Sequence, residues 1–229
     1  MGYNGVILKK SISINKIYSI HYFEYMSNFS FEGETHDFWE FICVDKGEVN
    51  VTAGSETTVL KRGDIAFHQP NEFHSVQATG KIAPNLVVIS FHCEDEAMTF
   101  FREKTLKIDE TERNILASII IEARRCFDCR LDDPYLQNMP RKEPDMFGAE
   151  QLICLYLEQL LIHLVRRYSN LLAIPKEIAK AAPLKSTKSK SDAEIFSRVT
   201  DYLALRINAA VSIEQICRDN LVGRSQLQK

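Results

Sequence analysis

Between Glu34 and Val76 the chain changes character every few residues, and turn-forming residues interrupt it at short, regular intervals. Glu34, His36, Phe38, Glu40 and Ile42 alternate with the residues between them. That period of two predicts one strand, with these five side chains on the same face. Asp45-Lys46-Gly47 predicts a reversal, because glycine tolerates the positive φ of a tight hairpin. Glu48–Thr52 alternates again, Ala53-Gly54-Ser55 is the next turn, and Thr57–Leu60 the next strand. Arg62-Gly63-Asp64 turns once more, Ile65–Phe67 resumes, and Pro70-Asn71 breaks the run before His74 and Val76. Short strands at this spacing predict a β-sandwich or barrel. Leu86–Phe91 is apolar apart from Ser90 and reads as a closing, fully buried strand. Val6–Leu8 and Ile17–Tyr25 are β-rich and read as leading strands packed on the barrel.

The spacing of the polar residues adds a resemblance. Glu40 follows His36 by four residues and Gly47 follows Glu40 by seven, while His74 stands eleven residues after Gly63. Together these resemble the two motifs of the cupin barrel, a small jelly roll. With Arg62-Gly63-Asp64 and Pro70-Asn71-Glu72-Phe73-His74, the stretch looks most like the sensor domain of AraC-type transcription regulators. The resemblance implies a barrel mouth where His36, Phe38, Glu40 and His74 bind a small-molecule effector, a sugar by family habit. Metal-binding cupins generally carry a histidine where Glu34 stands, and Pro and Gly where Gln69 and Asn71 stand. The reading therefore expects no metal, no cofactor and no catalytic residue. Asn71 can still supply the left-handed turn. The alternative implied by the same resemblance is a metal-dependent cupin isomerase or dioxygenase using His36, Glu40 and His74.

From Glu94 onward the period lengthens to that of helices. A short helix is expected around Ala97–Phe101, and Asp109 with Glu112 forms a capping-box signature for a helix to Cys126. Residues 128–145, with three prolines, read as a surface loop. Cys126-Phe127-Asp128-Cys129 has no second pair, so it reads as incidental at a helix end. Phe147–Tyr168 is a strong helix whose apolar arc is wider than one buried face needs. The helix either lies deep in the domain core or is shared between the barrel and a second copy in a homodimer; because AraC-like sensors dimerise through helices following the barrel, the second reading is preferred.

Composition excludes several classes. The 229 residues, 45% hydrophobic and 26% charged, are those of an ordinary globular protein with one or two domains. Met1–Lys10 lacks a secretion signal, and the greasiest stretch, Leu152–Val165, is short and interrupted by Glu158, Gln159 and His163, so no membrane span is expected. Six scattered cysteines fit a reducing cytoplasm. Residues 176–229 carry a balance of +4 and residues 1–175 one of −7, which points to nucleic acid at the C-terminal end.

Pro175–Ser191, rich in Lys and Ser, reads as a linker. Beyond it, a helix capped by Asp192, a second capped by Ser212, a turn at Asn220–Gly223 and a third from Arg224 follow the helix-turn-helix pattern. The segment resembles the first half of an AraC-type DNA-binding domain, cut short. In that setting Arg224, Ser225 and Gln228 would face double-stranded DNA, Arg suiting guanine and Gln adenine. The expected architecture is α+β: a cupin barrel over residues 1–92, dimerisation helices over 93–174, a linker over 175–191, and a partial helix-turn-helix domain over 192–229.

Overall fold

The computed structural model describes residues 3–24, 26–169, 195–200, 202, 203, 206 and 211–227, without the side chains of Ser225 and Gln226. It divides into two units, Met1–Val165 and Arg166–Lys229.

The described part of the first unit holds β1 (Lys16–Glu24), β2 (Ser30–Glu34), β3 (Trp39–Lys46), β4 (Glu48–Ala53), β5 (Glu56–Lys61), β6 (Asp64–His68), β7 (His74–Ala78), β8 (Asn85–His92) and β9 (Thr105–Lys107). They form two antiparallel sheets, ordered β1-β8-β3-β6-β9 and β2-β7-β4-β5. The turns fall where the sequence expects them. Between the sheets lies an apolar core that includes Ile42, Val44, Val49, Leu60, Leu86 and Val88. The apolar run becomes β8, between β1 and β3, and its residues on both faces are buried, which is why they do not alternate. On the far face of that sheet, Phe41, Phe67 and Phe91 pack with Phe101 from a 3-10 turn, Glu96–Phe101.

Four expectations are corrected. The single strand predicted from Glu34 to Ile42 is two: β2 ends at Glu34 in one sheet and β3 starts at Trp39 in the other. A closed sandwich needs such corners, where the chain switches sheets. Here the corner is tied down by the Asn71 N–H, which donates to the His36 carbonyl at 2.7 Å, and Asn71 does adopt a positive φ of 66°. Secondly, Val6–Leu8 form no strand and are 84–94% exposed. β-propensity acts only where a neighbouring strand and a covered face exist. The chain docks from Ile12 and Ile14, both buried, with the Ile14 N–H donating to Glu158 Oε1 at 2.9 Å. Thirdly, β9 lies inside the segment expected to be helical. Three residues are too few to show a period, and the ladder to β6 defines them.

The fourth concerns the helices. α1 (Glu110–Cys126) carries the expected capping box in full. α2 (Ala149–Tyr168) starts two residues later than expected. Its wide arc, assigned from sequence to a second copy, is buried within the chain: Ile153, Leu157, Leu160, Leu161 and Leu164 are at most 1% exposed. Leu155 remains as a large apolar side chain facing outward, at 49%.

Between α1 and α2 the loop is more constrained than its composition implies. Phe127 and Arg141 form a β-bridge, the Asp128 N–H donates to the Pro140 carbonyl at 2.8 Å, and the Lys142 N–H to that of Cys126 at 2.7 Å. The neck is thus closed, and the tip lies along β1, where the Tyr22 N–H donates to the Leu131 carbonyl at 2.8 Å.

In the second unit, residues 195–200 are helical. α3 (Ile213–Asp219) is capped by Ser212, whose hydroxyl accepts from the Gln215 N–H, and α4 (Arg224–Leu227) follows a turn containing Leu221 at φ 53°. The linker, Asp192 and Gln228 lie outside the described residues, as does the Ser225 side chain.

Candidate functional site

The corner between β2 and β3 brings three of the predicted site residues together with one more. Glu34 ends β2 and is the register partner of His74, the first residue of β7. His36 sits on the corner, and Glu40 is the second residue of β3. One donor atom each from Glu34, His36, Glu40 and His74 lies within 4.8 Å of all the others. His74 Nε2 is 3.4 Å from Glu40 and 3.8 Å from Glu34, and His36 Nε2 is 3.7 Å from Glu40. Gly33 makes the approach possible. A Cβ there would stand 2.6 Å from the His74 carbonyl oxygen, at a φ of +113° that favours glycine.

The imidazoles are oriented from behind. Nδ1 of His36 donates to the Phe38 carbonyl and Nδ1 of His74 to that of Glu72, each at 3.0 Å. That places the lone pair of the neutral ring on Nε2, facing the carboxylates. Both Nε2 atoms are buried without a hydrogen-bond partner. The Glu40 carboxylate is fixed in turn by the Ser90 hydroxyl, which donates at 2.5 Å and accepts from Ser19 at 2.8 Å. Burial pushes the Glu40 acid up, but the two imidazoles and Ser90 outweigh it and hold it well below the usual carboxylate range. Burial pushes His74 down, while Glu34 and Glu40 draw it up to about 10. The 3.4 Å separation nevertheless exceeds a charge-assisted hydrogen bond. The carboxylate pair thus demands a cation, and a proton on His74 meets that demand at long range.

Phe38, the fourth predicted residue, stacks on His36 and on Tyr18, at 3.8 Å in both cases. It forms part of the wall of a cavity of about 480 Å³ whose polar side chains include Glu34, Glu40, His74, His21 and Ser90 and whose apolar ones include Phe23 and Phe31. An apolar cleft with a few convergent polar groups is the usual make-up of a small-molecule site. No Lys or Arg is among the described residues lining it. The sequence reading missed Ser90, although a lone hydroxyl in an otherwise apolar run, in register with Glu40, is a signal of a polar function. It also missed Pro134–Gln137, which close one side of the cavity from the tip of the α1–α2 loop. No local signal marks them, because the loop reaches the mouth only through its pairing with β1.

Two ligand atoms each about 2.1 Å from one divalent metal stand at most about 4.2 Å apart; the three separations given above satisfy that, while the set of four spans up to 4.8 Å. The expectation of no metal rests on Glu34 replacing a histidine, but a carboxylate is itself a ligand for such ions. Of the three residues expected to contact DNA, Arg224 is described; it is exposed and lies 3.4 Å from Glu214.

Residues 16–142, more than half of the chain, match the family described as the AraC-like ligand binding domain. Among solved structures, an RmlC-like cupin from Shewanella frigidimarina is 20% identical over 31% of this chain and 59% of its own, with a TM-score of 0.26. TT1209 from Thermus thermophilus is 20% identical over 37% of this chain and 77% of its own, with a TM-score of 0.29. AerE from Microcystis aeruginosa is 14% identical over 31% of this chain and 34% of its own, with a TM-score of 0.28. The chain thus spans about a third of AerE and under two thirds of the Shewanella cupin. No curated protein matches it. With a cupin-like pair of antiparallel sheets and a match across both motifs, the chain belongs to the family of AraC-like ligand binding domains.

Proposed function

We propose that this protein is a ligand-responsive transcription regulator whose barrel senses a small molecule. The observation that carries the reading is the coincidence of the family match with a cavity in which Glu34, Glu40 and His74 converge on one side and aromatic rings on the other. The effector is a neutral or cationic molecule, since two carboxylates and no Lys or Arg line the described cavity; a sugar meets that condition. Residues 192–229 carry the DNA contacts, with Arg224, Ser225 and Gln228 toward double-stranded DNA, and the working form is a cytoplasmic homodimer. Effector binding biases which arrangement of the two DNA-binding parts is populated. The α1–α2 loop supports such coupling, because its tip walls the cavity and its neck leads directly into α2.

Thermal-shift measurements on the full chain with neutral monosaccharides, polyols and amines test the sensor reading. An effector raises the melting temperature, and Glu40→Gln removes the effect. If no neutral or cationic compound stabilises the chain while carboxylates do, the reading is wrong. The DNA reading predicts that the protein enriches a defined sequence from a random duplex pool and that Arg224→Ala abolishes the enrichment.

The four-donor cluster favours one second reading, a metal-dependent cupin enzyme in which an ion held by His36, Glu40 and His74 would act as a Lewis acid on a bound oxygen donor. Near-stoichiometric metal together with turnover of a screened substrate, both lost in His74→Ala, would establish it over the regulator.

A further inference from the structure

Resting on the sensor reading, we propose that the effector is an organic ammonium ion: a primary amine head held by Glu34, Glu40 and His21, on an apolar body that lies against the aromatic wall of the cavity.

The polar groups of the cavity sort by what they can still offer. The Ser90 hydroxyl donates its hydrogen to Glu40, and the Ser19 hydroxyl donates its own to Ser90. His21 Nδ1 lies 3.0 Å from the Asp133 carbonyl oxygen, which only accepts, so the ring proton is on Nδ1 and Nε2 is an acceptor. Burial outweighs the pull of Glu40 and Asp133 and lowers the His21 pKa, so the ring stays neutral. His74, buried to 1% of its side-chain surface, lines the same cavity, and its Nε2 has no hydrogen-bond partner. Glu34 and Glu40 are carboxylates and accept only. What these groups present to a guest is therefore acceptors. The side-chain donors that remain in the lining, Tyr18, Tyr135 and Gln137, belong to half-buried or exposed residues.

That inventory selects the guest. A sugar meets the charge condition, but each of its hydroxyls brings lone pairs along with a hydrogen, and lone pairs set against carboxylates go unmatched. A primary ammonium has three N–H donors and no lone pair. Charge agrees. The two carboxylates outnumber the one charge that a proton on His74 supplies, and no Lys or Arg among the described lining residues offsets the remainder. Spacing agrees as well. One oxygen each of Glu34 and Glu40 lie within 4.8 Å of one another. An ammonium nitrogen making two N–H···O bonds of about 2.8 Å at the tetrahedral angle sets its acceptors about 4.6 Å apart. Phe23 and Phe31 receive the apolar body, and their ring faces attract a cation in their own right. Because Asp133, on the α1–α2 loop, holds the His21 ring, the loop takes part in recognition.

The test is calorimetric titration of the full chain, with EDTA present, using phenethylamine, benzylamine and cyclohexylamine. Each is paired with the alcohol in which a hydroxyl replaces the amine, and phenylacetate and D-glucose complete the set. At least one amine should bind, with its alcohol at least about 10-fold weaker. Glu34→Gln should weaken that amine about 10-fold with no change in the melting temperature of the ligand-free chain. His21→Phe, which keeps a ring and removes the acceptor, should weaken it about 5-fold. Half of the Glu34 side chain is exposed, so the Glu34→Gln variant keeps the fold. The inference is overturned if no amine binds at about 10 mM, if the alcohols bind as tightly as the amines, or if Glu34→Gln leaves amine affinity within about two-fold. Should D-glucose bind while no amine does, the ammonium class is lost and the sensor reading stands; phenylacetate binding in preference to every amine sinks both.

Discussion

Strand β3 passes through two environments. At its C-terminal end Ile42 and Val44 face the space between the sheets and are buried to 1% or less among Val49, Leu60, Leu86 and Val88. Two residues before Ile42 on the same face, Glu40 is also buried, yet it meets two imidazoles and a serine. The floor is complete in itself, because apolar groups need only volume and contact, which neighbouring strands supply. The mouth is complete only in part. Its carboxylate is held by Ser90, while the Nε2 atoms of His36 and His74 have no hydrogen-bond partner among the described residues. The difference teaches where stability and function separate along one strand: the floor holds the sheets together, and the mouth keeps open a demand that a ligand or ion meets.

Substitutions at the two ends should break that contrast in graded ways. Ile42→Ala, at the floor, should have the largest effect, a loss of about 2–5 kcal/mol of folding stability by urea denaturation, since it leaves a cavity between the sheets. Gly33→Ala should cost about 1–3 kcal/mol, because its Cβ would meet the Phe73 ring and the His74 carbonyl at a positive φ. It should also weaken effector binding by moving Glu34 away from His74; a variant that keeps full affinity would show that the corner is not what positions these groups. Ser90→Ala removes the hydroxyl that donates to the buried Glu40 carboxylate and should cost about 1–3 kcal/mol. If it costs under about 0.5 kcal/mol, Glu40 does not depend on Ser90 and the mouth is less preorganised than described. Glu34→Gln should change stability least, by no more than about 0.5 kcal/mol, because half of its side chain is exposed at the rim. A stability loss as large as that of Ile42→Ala would erase the distinction between the two ends.

Much of the barrel was legible in the chain. Alternation and turn residues located β4, β5, β6 and β8 to within one residue at each end, and the capping box of Asp109 and Glu112 located α1. The reason is that these signals are local: side-chain period, a glycine or asparagine at positive φ, an acid over free N–H groups. His36, Phe38, Glu40 and His74 were singled out for their spacing, and His36, Glu40 and His74 do meet at one site with Phe38 stacked beside it. By contrast, the three-residue β9, the exposed arm at Val6–Leu8 and the self-burial of α2 were read wrongly or not at all. Each depends on what lies opposite in space, which no local period records.

The sequence by itself determined a two-sheet β fold with a histidine–glutamate cluster near a turn, because hydrophobic period and backbone freedom are properties of short stretches. Only the tertiary structure decided that Glu34 stands 3.8 Å from His74, that Ser90 anchors Glu40, and that Pro134–Gln137 wall the cavity. Those three facts rest on strand register, on a corner between sheets and on a loop clasped to a sheet edge. Such long-range pairings are settled by burial and hydrogen bonding across the whole barrel, and so they exist only once the chain has closed on itself.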